Sequence, residues 1–264
     1  MPDSVRVRQP LRSVCLNLFA LLALAGWAAA LPAQTSSGHL YYARVNTLGV
    51  LGAYSWDSSH ILLGDAEQRR LVNIGVSYSR RLFLNHVVDW QYDGEFLPVA
   101  LESDPLQRIV DAQTSPTAET YTSDLQSPPV TCAPATISYS YTINNVTYSG
   151  AETATCYSRR WTIGEAISPM GLQWNFLPRR RIQPFLDGHG GYMYSTRPIP
   201  VDSAGSFNFT FDVGAGIEVY RSRASSIRAE YRYHHISNND TATANPGIDS
   251  GLFQVTYCFR LGRR

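Results

Sequence analysis

From Leu48 onward the chain keeps returning to one pattern: an apolar or aromatic residue at every second position, with polar or charged residues between. Strand side chains alternate sides, so such a segment has one apolar face and one polar face. In 71–80, Val72, Ile74, Val76 and Tyr78 oppose Asn73, Gly75, Ser77 and Ser79. In 207–219, Phe207, Phe209, Phe211, Val213, Ala215, Ile217 and Val219 oppose Asn208, Thr210, Asp212, Gly214, Gly216 and Glu218. The same period is read in 48–56, 87–98, 226–237 and 251–261, and more weakly in 171–177 and 182–194. Turn residues separate the segments, which makes eight expected strands and an all-β chain.

A soluble sandwich also alternates. Two features favour a transmembrane barrel. The polar faces carry Asp89, Asp93, Glu95, Asp187, Asp212, Glu218, Arg228, Glu230 and Arg232, whereas the apolar faces carry aromatics and almost no charge. Such faces suit strands that turn apolar residues to lipid and polar residues to the lumen. The connections also alternate in length. Those after the second, fourth and sixth strands are short and basic (RRLFLN, PRRR, RSRA), and the others are longer. Short periplasmic turns and long outer loops give that rhythm. The expected fold is therefore an eight-stranded antiparallel outer-membrane β-barrel. Charged residues make up only 16% of the chain, against about 25% in soluble domains. A net charge of +1 gives no argument for nucleic acid.

The N-terminus supports export. Arg6, Arg8 and Arg12 precede an apolar run from Val14 to Ala30, which reads as a signal peptide over 1–33, cleaved after Ala30 or Ala33. No later segment is apolar for long enough to span as a helix, so a membrane form must be a closed barrel over 34–264. Cys15 lies in the signal. Cys132 and Cys156 flank a polar segment rich in Tyr and Thr, and an oxidising compartment would join them. They fall in the longest expected outer loop, 102–160, where Thr136–Tyr148 reads as a hairpin turning at Asn144-Asn145. Cys258 is left over, and its spacing to the other cysteines matches no metal site; the serine chemistry weighed below calls for no cofactor.

The seventh expected strand ends unusually. Ile227, Ala229, Tyr231, Tyr233, His235 and Ser237 share its apolar face. With a periplasmic N-terminus this strand runs outward, so His235 and Ser237 sit at the outer rim, facing lipid. The next strand turns Phe253, Val255 and Gly251 outward, and the same parity reaches Asp249. A hydroxyl nucleophile needs a base, and the base needs an acid to hold its tautomer. Ser237, His235 and Asp249 supply the three types, with Asn238 or a nearby backbone N–H available to an oxyanion. Polar residues also sit at rims merely to meet lipid headgroups. Elsewhere, His234 reads as a lumen filler beside Glu230, and His189 joins Asp187 in the lumen. His60 and His86 read as structural, and Glu102, Ser103 and Asp104 as the solvated start of the outer loop before Pro105, ahead of the alternative of a metal site there.

The run HHISNNDTATANPGIDSG resembles the motif region of the outer-membrane lipid A 3-O-deacylase family, also known as acyloxyacyl hydrolases. That family has a His-x-Ser-Asn core, then Asn-x-Gly, then an acidic residue near the end of an eight-stranded barrel. Here these are His235, Ser237, Asn238, Asn245, Gly247 and Asp249. The resemblance implies Ser237 as nucleophile, His235 as base, Asp249 as orienting acid, and Asn238 at or near the oxyanion hole. It implies lipid A of lipopolysaccharide in the outer leaflet as the partner, reached sideways through the membrane. The best-known members carry Glu at the acid position, where this chain has Asp249. Outer-membrane barrels usually end on an aromatic residue, whereas here Phe259 is followed by RLGRR. The alternative is a structural or adhesive barrel without enzymatic activity. A pore is disfavoured by the strand number. The oligomeric state stays open between monomer and homodimer.

Overall fold

The computed structural model describes residues 42–262. The expected signal peptide, its cleavage sites and Cys15 lie outside the described residues. Ten strands follow in order: β1 (Asn46–Ser55), β2 (Arg70–Leu84), β3 (Val88–Ser115), β4 (Glu119–Thr122), β5 (Ala135–Ile143), β6 (Val146–Phe176), β7 (Ile182–Ser195), β8 (Phe207–Tyr220), β9 (Ser225–Ser237) and β10 (Ile248–Arg260). Eight of them form an antiparallel ring. The pairings run β3-β2-β1-β10-β9-β8-β7-β6, and a β3–β6 ladder completes the circuit. Those eight are the strands that the alternation predicts.

Burial inverts the usual order of a soluble protein. The nine charged residues assigned to the polar faces are all buried inside the ring. Arg232 donates to Glu95, Asp187 and Glu230 at 2.8, 3.2 and 2.9 Å, and Arg228 pairs with Asp93 and Glu218 at 3.4 Å. A buried charge is tolerated only when it is paired in this way. The outer face exposes Val50, Ile74, Val76, Phe96, Ile167, Val213, Ile217, Ile227, Tyr231, Phe253, Val255 and Tyr257. Fully burying one such side chain is worth about 2 kcal/mol and each is about half exposed, so leaving the dozen in water forfeits roughly 10 kcal/mol. That is comparable with the whole net stability of an ordinary domain, about 5–15 kcal/mol. A belt of this kind belongs against lipid.

The 102–160 stretch departs from a plain loop. β3 and β6 run on past the ring, paired as far as Ser115↔Ser149. β4 and β5 flank them, making a four-stranded blade in the order β4-β3-β6-β5. Ladder hydrogen bonding explains this: once β3 and β6 are paired in the ring, most further residues find a backbone partner opposite, with register shifts at Pro105/Gln107 and Gln113/Ser115. The hairpin turn falls at Asn144 and Asn145, with φ of 50° and 63°. Two successive left-handed residues are what a tight hairpin needs. Cys132 and Cys156 are disulfide-bonded, tying the segment before β5 to β6.

The base of the blade corrects a second expectation. Glu102, Ser103 and Asp104 are not a solvated loop start; they are buried where β3 leaves the ring. Arg160 donates to Asp104 at 2.9 Å, and Arg159 donates to Ser103 Oγ at 2.9 Å. A third correction concerns His234. It faces inward as expected, but its ring pairs with Asp212 on β8, which lies directly opposite it, not with Glu230. Opposite residues on paired strands lie about 5 Å apart, whereas positions four apart on one strand lie about 13 Å apart.

Candidate functional site at the outer rim

β9 keeps strict alternation to its last residue. Arg228, Glu230, Arg232, His234 and Ile236 are buried, while Ile227 and Tyr231 are exposed and Tyr233, His235 and Ser237 are half-buried. The register with β10 places Asp249 directly opposite His235. His235 Nδ1 lies 2.7 Å from Asp249 Oδ1. With Nδ1 engaged by a carboxylate, the neutral ring carries its lone pair on Nε2. Ser237 is two positions further on the same face, about 6–7 Å along the strand.

Asp249 shares the outward parity of Phe253 and Val255, yet it is fully buried. The β1–β2 connection covers it. The backbone N–H groups of Leu62 and Leu63 donate to Oδ2 at 2.6 and 2.7 Å. The Tyr233 hydroxyl donates to Oδ1 at 2.8 Å, beside His235. A carboxylate is an acceptor only, and its surroundings here are donors. The covering turn is held by His60 Nδ1, which bonds the Gly64 carbonyl at 2.9 Å. Gly64 packs flat on β10: a Cβ there would lie 2.6 Å from the Asp249 backbone nitrogen and 3.0 Å from its Oδ1. Gly247, at φ +63°, lets the chain turn into β10 next to the His235 ring. Ala66 then bridges to Ile248.

The β9–β10 loop, residues 238–247, is built around two asparagines. Asn245 Oδ1 accepts from the Ser237 hydroxyl at 3.0 Å and from the Asn238 N–H at 3.1 Å. Ser237 Oγ in turn accepts from the Asn239 N–H at 3.1 Å. The Asn238 side chain is buried and donates to the Ala244 carbonyl at 2.8 Å. All six motif residues are thus within one connected patch: His235 with Asp249, Ser237 with Asn245, Asn238 closing the loop and Gly247 shaping it. Among the described residues, the Ser237 hydroxyl bonds Asn245 rather than His235. Leu62, Leu63, Gly64 and Tyr233 went unrecognised in the sequence. Only the Tyr233 parity, shared with His235, signalled its place.

The other candidates separate from this patch. Asp93, Glu95 and His189 bring ligand-type atoms within 4.8 Å of one another inside the ring. Glu95 is already forked by Arg232 at 3.0 and 2.8 Å, and Asp93 accepts from Ser79 at 2.9 Å. These groups therefore read as part of the ion-pair filling of the lumen. His189 lies nearest Asp93, at 3.7 Å, among its ion-pair partners, whereas the sequence reading put it with Asp187.

Comparisons with known proteins bear on this patch directly. Residues 135–257 match the family model of lipid A 3-O-deacylase. No curated protein matches the chain. Among solved structures, the outer membrane enzyme PagL is 13% identical, covering 81% of this chain and 99% of its own, with a TM-score of 0.45. Neisserial surface protein A is 12% identical, covering 82% and 97%, with a TM-score of 0.39. OprG from Pseudomonas aeruginosa is 9% identical, covering 85% and 99%, with a TM-score of 0.37. The fold rests on the strand ladders themselves and not on these likenesses. The resemblance read from His235 to Asp249 is borne out, and over residues 135–257 the chain matches the lipid A 3-O-deacylase family.

Proposed function

We propose that the protein is an outer-membrane serine esterase that removes an ester-linked 3-hydroxy fatty acid from lipid A. The observation that carries this reading is the His235–Asp249 pair at 2.7 Å, on the same outward face as Ser237, inside a segment that matches the deacylase family. The substrate is amphipathic and lies in the leaflet that the outer rim meets. It reaches Ser237 from the side, so the filled lumen is no obstacle.

In the proposed reaction, the Ser237 hydroxyl shifts its hydrogen bond from Asn245 to His235 Nε2. Oγ attacks the ester carbonyl carbon as His235 takes the proton. Asp249 holds the imidazolium in orientation. The carbon–oxygen bond to the lipid breaks, and His235 returns the proton to the departing alkoxide. Water then hydrolyses the acyl-serine by the same proton path and releases the free 3-hydroxy acid. The developing oxyanion needs N–H donors. Asn238 and Asn245 form the amide wall beside Ser237, and Asn238 is the proposed donor once Asn245 releases its N–H.

The test is mass spectrometry of lipid A after incubation with the refolded protein, beside Ser237→Ala. Loss of one 3-hydroxyacyl mass with the parent only is expected. No mass change with a folded parent would overturn the lipid A reading. The protruding blade favours one second reading, a structural or adhesive barrel, for which Ser237→Ala would leave every phenotype unchanged.

A further inference from the structure

Asp249 stands one methylene short of the Glu familiar at this position, and its carboxylate is gripped from three directions. His235 approaches from β9. The Tyr233 hydroxyl reaches the same Oδ1 from two residues back on that strand. Leu62 and Leu63 present adjacent N–H groups to Oδ2 from the β1–β2 turn. Two adjacent backbone N–H groups form a small anion-binding nest. That turn is itself anchored outside the ring. Glu67 N–H donates to the Val130 carbonyl at 2.8 Å, and Cys132 N–H donates to Gln68 Oε1 at 3.0 Å. Arg69 is fully buried and donates to the Val130 carbonyl, Ser127 Oγ and the Pro200 carbonyl at 2.7, 3.0 and 3.2 Å. The chain segment leading to the disulfide thus clamps the turn that clamps Asp249.

We propose that Tyr233 and the Leu62–Gly64 turn, braced from outside by segment 126–132, are positioning elements that aim the Asp249 carboxylate at His235. Neither touches the reacting atoms. Both act through Asp249. The disulfide-bonded base of the blade therefore serves the site, whatever the blade's tip does. This inference rests on the proposed serine esterase chemistry, but not on lipid A being the ester.

The experiment reads Ser237 activation without a lipid. Refolded protein in detergent is treated with a fluorophosphonate probe, and the rate of Ser237 labelling is followed by gel fluorescence and peptide mass. The variants are Tyr233→Phe, Gly64→Ala, Asp249→Asn and each of the first two combined with Asp249→Asn. Gly64→Ala pushes the turn off β10, because its Cβ has no room against the Asp249 backbone. A shift in migration between unboiled and boiled protein on a denaturing gel reports an intact barrel in each variant. A lost bond to a charged group is worth about a tenfold change, so Tyr233→Phe and Gly64→Ala should each slow labelling roughly tenfold. Each double variant should label at the rate of Asp249→Asn alone, because the positioning groups have nothing left to position. Parent-like labelling by both single variants would overturn the proposal. So would full multiplicative loss in the doubles, which would mark a general structural effect. A folded parent that does not label at Ser237 would sink the esterase reading and this inference together. Labelling without any change in lipid A mass would sink only the choice of substrate.

Discussion

Replacing Asp249 by Asn tests the site most severely, because the amide is nearly the same size and changes only charge and donor pattern. Four donors face the native carboxylate: the Leu62 and Leu63 N–H groups, the Tyr233 hydroxyl and His235 Nδ1. Asn offers one acceptor oxygen, so its NH2 must face a donor pair. If the oxygen stays with Leu62 and Leu63, the NH2 meets His235 Nδ1. The ring must then present its lone pair there and carry its proton on Nε2, the wrong tautomer for a base. A loss of about 10³–10⁴ in rate is expected, or about 4–5 kcal/mol of transition-state stabilisation. A second cost falls on the rim. Bonds to a charged acceptor are worth about 1.5–3 kcal/mol each, so weakening those to the turn loosens residues 62–64. Deacylation is timed by mass spectrometry of lipid A in mixed micelles, and gel mobility confirms the folded barrel. Asp249→Asn within about threefold of the parent rate would refute the role given to this carboxylate.

Three further outcomes are expected. Asp249→Glu restores the familiar acid but adds a methylene beneath Gly64, which has no slack, so activity should fall by about 10²-fold as the geometry shifts by roughly 1 Å; equal or higher activity would show that the turn yields freely. Arg232→Met leaves Glu95, Asp187 and Glu230 as buried carboxylates without their shared cation, a loss of about 3–5 kcal/mol that should lower the unfolding temperature by roughly 10 °C in gel-shift melts, and an unchanged melt would refute the ion-pair account of the lumen. Joint replacement of Cys132 and Cys156 by Ser should open segment 126–134 to proteinase K while the ring stays intact, and equal resistance with and without the disulfide would show that the loop needs no staple.

What the sequence determined was the set of strands, their facing and the placing of one motif. Period-two alternation is a local property, and it carries into three dimensions unchanged as long as the strand stays regular. That is why the nine inward charges could be named in advance, and why His235, Ser237 and Asp249 could be assigned one face from parity. The hairpin at Asn144-Asn145 was legible for the same reason: turn chemistry is written in adjacent residues. The motif itself pointed to the deacylase family from six positions.

Tertiary structure alone decided who meets whom across long separations. Parity made Asp249 outward-facing, but a turn 185 or more residues earlier buries it and supplies its donors. No local pattern marks Leu62 or Leu63 for this, since a backbone N–H is present at every residue except proline. His234 meets Asp212 because the β8–β9 register sets them opposite. The 102–160 stretch became a blade because the β3–β6 ladder, once begun, runs on. Glu102 and Asp104 are buried because the β1–β2, β4–β5 and β7–β8 connections close over the base of that blade, with Arg69 tying all three. Register and loop packing arise from contacts between distant segments, and a single strand's alternation holds no record of them.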